Sequence, residues 1–217
     1  MTRVSFDPSL IPLNPDLSFE RALWQQGLTL VAGIDEAGRG ALAGPVAVGV
    51  VILPAGLAKI QSRLAGVRDS KQMRPEQRTY WAERIKAIAL DWQVGFGGAN
   101  EIDAIGIAAA VRLAAGRALE RMAQPCEHLL IDYFKLKDVS TPQTALVKGD
   151  CRSLSIACAS VLAKVARDAL MGEMDARYPG YGFGQHKGYG TEAHLAALAV
   201  MGPCAEHRRS FRPLSGG

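Results

Sequence analysis

The stretch LTLVAGIDEAGRGALAGPVAVGVVIL, residues 28–53, reads as two buried strands and the turn between them. Residues 28–34 are almost wholly apolar behind Gly27, and valines recur through 44–53 between a glycine-rich turn and Pro54. Two such runs joined by a short glycine-containing loop predict an antiparallel hairpin. The same stretch contributes to 19 uncharged residues between Arg39 and Lys59, close to the length of a bilayer span. Gly40, Gly44, Pro45, Gly49, Pro54 and Gly56 interrupt that run, and Asp35 and Glu36 stand just before it. A buried strand with its turns fits better than a lipid-embedded helix.

Outward from the hairpin, residues 1–27 form an N-terminal arm, of which 1–20 are proline-punctuated and weakly patterned with one short turn. Pro75 opens a predicted helix to about Leu90, with Trp81, Ile85 and Ile88 at helical spacing. DWQVGFG (91–97) reads as a strand, and 101–123 as the longest helical pattern, its buried face marked by Ile102, Ile105, Ala109, Leu113 and Leu119. HLLIDYF (128–134) and TALV (144–147) read as further strands. Ser153 opens an alanine-rich helix to about Arg177; a glycine- and tyrosine-rich loop (178–190), a helix near 191–201 and a basic tail follow. Strands first and helices interleaved later indicate an α/β fold with a mixed sheet and a mostly helical C-terminal part.

Composition narrows the function classes. With 217 residues, 48% apolar and 21% charged, the chain can bury its own core and is not a disordered protein. Its 25 basic against 21 acidic residues permit a polyanionic partner without demanding one. The four cysteines, at 126, 151, 158 and 204, lack the C-x-x-C spacing of a zinc or redox site and read as reduced thiols, small buried hydrophobes. No secretory leader is evident, so a soluble, cytoplasmic protein is expected.

The carboxylates carry the chemistry. In Gly33-Ile34-Asp35-Glu36-Ala37-Gly38-Arg39-Gly40 a strand ends in two adjacent acids and enters a turn with glycines around an arginine. A carboxylate held near a sheet interior is costly unless a cation compensates it. Asp132 lies within Leu129-Leu130-Ile131-Asp132-Tyr133-Phe134 and calls for a metal or a positive partner, a salt bridge to Lys135 or Lys137 being the plain structural alternative. Asp150, after Lys148-Gly149, is where ordinary helix capping would also put an aspartate. Acids from several strand and helix ends, without clustered histidine or cysteine, match the all-oxygen preference of Mg2+ or Mn2+. Such a cluster suits a two-ion site for phosphodiester chemistry.

These residues resemble the ribonuclease HII family, the bacterial type 2 ribonucleases H. Six blocks follow in order: GIDEAGRGALAGPV (33–46), Asp69-Ser70-Lys71, LIDYF (130–134), KGDCRSLSIACASVLAKVARD (148–168), YGFGQHKGYGTEAH (181–194) and GPCAEHRRSF (202–211). The resemblance implies a ribonuclease H-like mixed sheet flanked by helices, with a helical C-terminal extension, residues 28–217 forming one catalytic domain. It implies endonucleolytic hydrolysis of RNA in RNA–DNA hybrids and incision 5′ of single ribonucleotides in duplex DNA, leaving 3′-hydroxyl and 5′-phosphate ends. Asp35, Glu36, Asp132 and Asp150 become the catalytic, metal-binding tetrad. Asp168 competes for the fourth place, but it lies one helical turn past Lys164 and pairs naturally with it. Gly38, Arg39 and Gly40 match the loop that senses the ribose 2′-hydroxyl, the group that tells RNA from DNA. Tyr189 matches the tyrosine that packs on the sugar, and Lys71 belongs to the D-S-K motif as a substrate contact. Many relatives have a glycine after the third acid, where this chain has Tyr133-Phe134.

Lys71, Lys148, Lys164, Arg167, Lys187, Arg208, Arg209 and Arg212 are candidates for a track of phosphate contacts, each expected to steepen the salt dependence of binding. His186 and His194 read as structural or nucleic-acid-facing residues rather than zinc ligands. A monomer is expected, and no sliding-clamp peptide is evident. Rival readings are a non-catalytic nucleic-acid binder and a ribonuclease HIII or transposase-type nuclease. Retention of four acids argues against the binder, and the short segment before Leu28 leaves no room for the N-terminal domain of ribonuclease HIII.

Overall fold

A computed structural model describes residues 6, 7, 9 and 11–214. Five strands form a mixed sheet in the order β3-β2-β1-β4-β5. They are β1 (Val31–Ala37), β2 (Val46–Ile52), β3 (Asp91–Gly97), β4 (His128–Asp132) and β5 (Gln143–Leu146). β4 runs parallel to β1, with Ile34 opposite Ile131, and parallel to β5, with Asp132 opposite Leu146. Among the described residues eight helices accompany them: α1 (Ser18–Trp24), α2 (Ile60–Arg63), α3 (Pro75–Ile88), α4 (Ala99–Ile105), α5 (Ile107–Leu119), α6 (Leu154–Arg177), α7 (Phe183–His186) and α8 (Glu192–Met201). None of the described helices is long and apolar enough to cross a membrane. The uncharged run after Arg39 forms β2, buried at all seven positions.

The chain packs as two compact units. One comprises Met1–Asp35, Gly49–Gln93 and Met122–Val161; the other comprises Glu36–Val48, Val94–Arg121 and Leu162–Gly217. In the first, Val31, Leu130, Leu146 and Ile156 form a buried cluster against which Phe19, Leu23, Trp24 and Leu28 pack. The arm before Leu28 holds the seven-residue helix α1, most of it beyond residue 20, whose aromatic and leucine side chains have an apolar surface to cover. In the second, Ala37, Ala47 and Ala163 pack with Val94 and Phe96, and Ala43, Met171, Met174, Tyr181 and Phe183 form another cluster.

Two glycines set the height of α6 over the sheet. A Cβ on Gly33 would lie 2.1 Å from the Ser155 carbonyl carbon, and one on Gly49 would lie 2.3 Å from the Ala159 oxygen. Only bare backbone at these strand positions allows the helix to come so close. The first turns of α6, with Asp150 just ahead of them, are thereby brought down beside the strand that carries Asp35.

The predicted helix over 101–123 is broken. Gly106, at φ +79°, ends α4 and starts α5, which shifts the helical register. Ala110, Val111, Ala114, Ala115 and Ala118 consequently form the buried face with Ile102, while Ile105 is half exposed. Ala109, Leu113 and Leu119 are only partly buried. The longest helix is α6.

Candidate active site

β1 and β4 are parallel neighbours with Ile34 opposite Ile131, so the residues that follow, Asp35 and Asp132, lie side by side; β4 ends at its acid, whereas β1 runs on past Asp35 to Ala37 rather than ending in its acids. Asp150 comes from a single 3-10 turn, Gly149–Cys151, placed between β5 and α6. Asp35, Asp132 and Asp150 each direct a carboxylate oxygen to a common point, these atoms lying within 4.8 Å of one another. Asp35 and Asp150 are buried, Asp132 partly so. Asp132 is steadied by the Gly149 N–H, which donates to its Oδ1 at 2.7 Å. A Cβ on Gly149 would meet Ile156 Cδ1 at 2.7 Å, so the turn fits here because residue 149 has no side chain.

A second group, Asp69, Asp150 and Cys151, shares the same spacing limit. Asp69 caps the turn Ser70–Gln72 by accepting the Lys71 N–H at 2.9 Å. Ser70 Oγ lies 2.9 Å from Ser160 Oγ, tying that turn to α6. The Cys151 thiol is pushed up to about 11, chiefly by burial and then by Asp150 and Asp69, which keeps it protonated and leaves the carboxylates as the ionic donors. In the sequence Asp69 stands out only through its motif; its membership of a second acidic group depends on the fold.

The electrostatics agree with a cation site. Burial, then the neighbouring Asp69 charge, raise the Asp150 carboxyl above its ordinary value, and Lys71 opposes this. Burial alone would lower the Lys71 ammonium, yet Asp69, Asp150, Asp35 and Asp132 together hold it above its usual value. Lys71 thus sets a positive charge beside four carboxylates. An all-oxygen donor set of closely spaced acids fits Mg2+ or Mn2+.

Other predicted residues belong to the second unit. Glu36 Oε1 lies 3.5 Å from Arg39 Nη1, with Arg39 about half exposed. Asp168 meets Lys164 at 2.7 Å across one helical turn. Gly38 has φ +86°, and a Cβ there would overlap Arg167 Nε at 1.9 Å. Gly40, by contrast, has open space where its Cβ would be. Tyr189 is exposed, with Lys164 Nζ 5.8 Å and the Arg167 guanidinium 5.5 Å from its ring centre.

Two of the proposed phosphate contacts are corrected. Arg167 and Arg208 are fully buried and cannot line a surface track. Arg167 donates to the carbonyls of Pro45, Lys187 and Ala43 at 2.8–3.1 Å. Arg208 donates to those of Gly44, Arg39 and Gly38 at 2.8–2.9 Å. Burial holds both guanidinium groups below their usual value, Arg208 at about 9. The four cysteines are free thiols, but only Cys158 is fully buried.

Known proteins share this arrangement of strands and helices. The ribonuclease HII family model matches residues 32–214. The chain belongs to the ribonuclease HII family. Ribonuclease HII of Synechococcus sp. (strain JA-3-3Ab) is 53% identical over 202 residues, covering 93% of this chain and 90% of the relative. The ribonuclease H2 of Pyrococcus horikoshii OT3 superimposes with a TM-score of 0.68 at 25% identity, over 85% of this chain and 95% of that one. Bst-RNase HIII, solved in complex with Mn2+, shares the fold with a TM-score of 0.62 at 19% identity, over 89% of this chain and 71% of that one. The fold is ribonuclease H-like, and the family is one of nucleases that hydrolyse RNA in RNA–DNA hybrids.

Proposed function

We propose that this chain incises duplex DNA 5′ of single embedded ribonucleotides as well as cutting hybrids, using two divalent ions and leaving 3′-hydroxyl and 5′-phosphate ends. The convergence of Asp35, Asp132 and Asp150 oxygens within 4.8 Å carries this reading. With Glu36 these side chains would hold Mg2+ or Mn2+. Ions bound there supply activation of water and charge stabilisation at the scissile phosphate. Asp132 keeps its aim because the Gly149 N–H fixes one oxygen. Lys71 offers its ammonium to a backbone phosphate, and in its absence balances the acids.

Recognition of the ribonucleotide is assigned to Gly38, Arg39, Gly40 and Tyr189. Gly38 is glycine because Arg167 occupies the space beside it. Gly40 has no such internal reason, so its bare backbone is read as room for the sugar. Tyr189 presents an exposed ring that two cations flank, suited to packing on the ribose.

A duplex carrying one ribonucleotide tests the proposal. Mg2+- or Mn2+-dependent nicking on its 5′ side is expected. Absence of nicking with retained binding would favour the non-catalytic binder. Replacing Arg39 with alanine is expected to weaken discrimination for the ribonucleotide more than affinity for duplex; equal losses on all-DNA duplex would contradict its role.

A further inference from the structure

Behind Tyr189 lies a set of imidazoles that the sequence presents as unrelated. His194 and His207 are buried, and His186 is partly so. The Cys204 N–H donates to His207 Nδ1 at 2.9 Å, which places the His207 proton on Nε2. That nitrogen faces His194 Nε2 at 3.0 Å, so His194 accepts there and carries its own proton on Nδ1. His194 Nδ1 in turn lies 3.0 Å from the carbonyl oxygen of Tyr189 and donates to it. Every proton along the line is therefore assigned by its neighbour, from the Cys204 backbone to the Tyr189 backbone.

His186 braces this line from the side. Its ring stacks on His194 at 4.3 Å and 15°. Its Nδ1 accepts the Gly188 N–H at 3.2 Å, which leaves Nε2 to donate to the Tyr181 carbonyl at 2.7 Å. Gly188 leaves no latitude either, since a Cβ there would lie 2.3 Å from the Ala43 oxygen. The main chain on both sides of the Tyr189 Cα is thus tied to imidazoles, the Gly188 N–H to His186 and the Tyr189 carbonyl to His194, while Tyr189 remains exposed.

We propose that His207 and His194 are positioning residues, a two-imidazole relay that fixes the main chain of Tyr189 and so aims its ring at the substrate sugar. This rests on the ribose-contact reading of Tyr189 given above. Neutral rings can form such a relay because each donates once and accepts once, and no buried charge is left between them.

Kinetics on a single-ribonucleotide duplex with Mg2+ tests it, comparing wild type with Tyr189→Ala, His194→Leu and His194→Asn. Asparagine places an amide N–H where Nδ1–H stood; leucine places none. His194→Leu is expected to lower kcat about 10- to 100-fold, the scale of a misplaced positioning group, with KM and affinity for all-DNA duplex little changed. His194→Asn should recover most of the loss. Nitrogen-15 spectra of the unaltered protein should show His207 protonated on Nε2 and His194 on Nδ1; this readout stands even where His194→Leu does not fold. Wild-type kcat in His194→Leu beside a crippled Tyr189→Ala, or the opposite tautomers, would overturn the relay. Wild-type kcat in Tyr189→Ala would instead remove the sugar-contact role, and the purpose of the relay with it, leaving the tautomers as found.

Discussion

The acidic group in the first unit and the buried arginines in the second are opposite answers to one problem, charge held out of water. Asp35, Asp132, Asp150 and Asp69 set like charges together beside Lys71, and Asp150 is shifted upward, first by burial and then by Asp69. Arg167 and Arg208 are buried more deeply still, yet each donates to three backbone carbonyls. The acids form a site that could hold a cation; the arginines form a scaffold whose hydrogen bonds are satisfied from within.

Asp132→Asn breaks the acidic side of that contrast most directly. Activity on an RNA–DNA hybrid should fall about 10³-fold or more, several kcal/mol of transition-state stabilisation. Thermal unfolding in metal-free buffer should rise slightly, because one of several repelling charges is gone. A lower melting temperature would show that the acids stabilise the fold instead.

The scaffold side predicts the reverse. Arg208→Met leaves the carbonyls of Gly38, Arg39 and Gly44 without their donor, at a cost of about 3 kcal/mol, visible as a lower urea midpoint. Unchanged stability would mean that those carbonyls find other partners.

Acid should also separate the two. Burial first, then the positive fields of His194, Arg209 and His186, hold the His207 imidazole down at about 4, with only the Cys204 backbone bond opposing; His194 is lowered as well. Each binds a proton more readily when unfolded. Their contribution to stability is therefore intact above about pH 6.5 and is lost as pH falls toward 4. Denaturant midpoints measured through that window should decline in the wild type and decline less in His207→Gln.

The smallest effect expected is at Tyr133. This residue, directly after Asp132, has φ +64° and is largely exposed. A glycine adopts that conformation without penalty. Tyr133→Gly should raise stability by about 1 kcal/mol in urea titration.

Local patterning made much of this legible. β3 occupies the residues its aromatic and glycine pattern outlines, α3 starts at its proline, and the acids stand at strand and turn ends where their apolar surroundings draw attention to them. The break at Gly106 was not visible, because a single glycine inside a long alanine-rich pattern is usually tolerated. Arg167 and Arg208 read as surface residues because arginines mostly are; their burial depends on carbonyls distant along the chain. The same distance hid the line from His207 through His194 to Tyr189.

Glu20 is fully buried in α1, and its Oε1 accepts from the hydroxyls of Ser153 and Ser155 at 2.6 Å and from the Ser155 N–H at 2.9 Å. Burial raises its carboxyl above the ordinary range. The backbone of Asp16 adds a bond from the Leu154 N–H at 2.8 Å. The residues ahead of the hairpin therefore act as a clasp on the turn that carries Asp150. Loss of α1 by proteolytic clipping would loosen the support of an acid more than a hundred positions downstream.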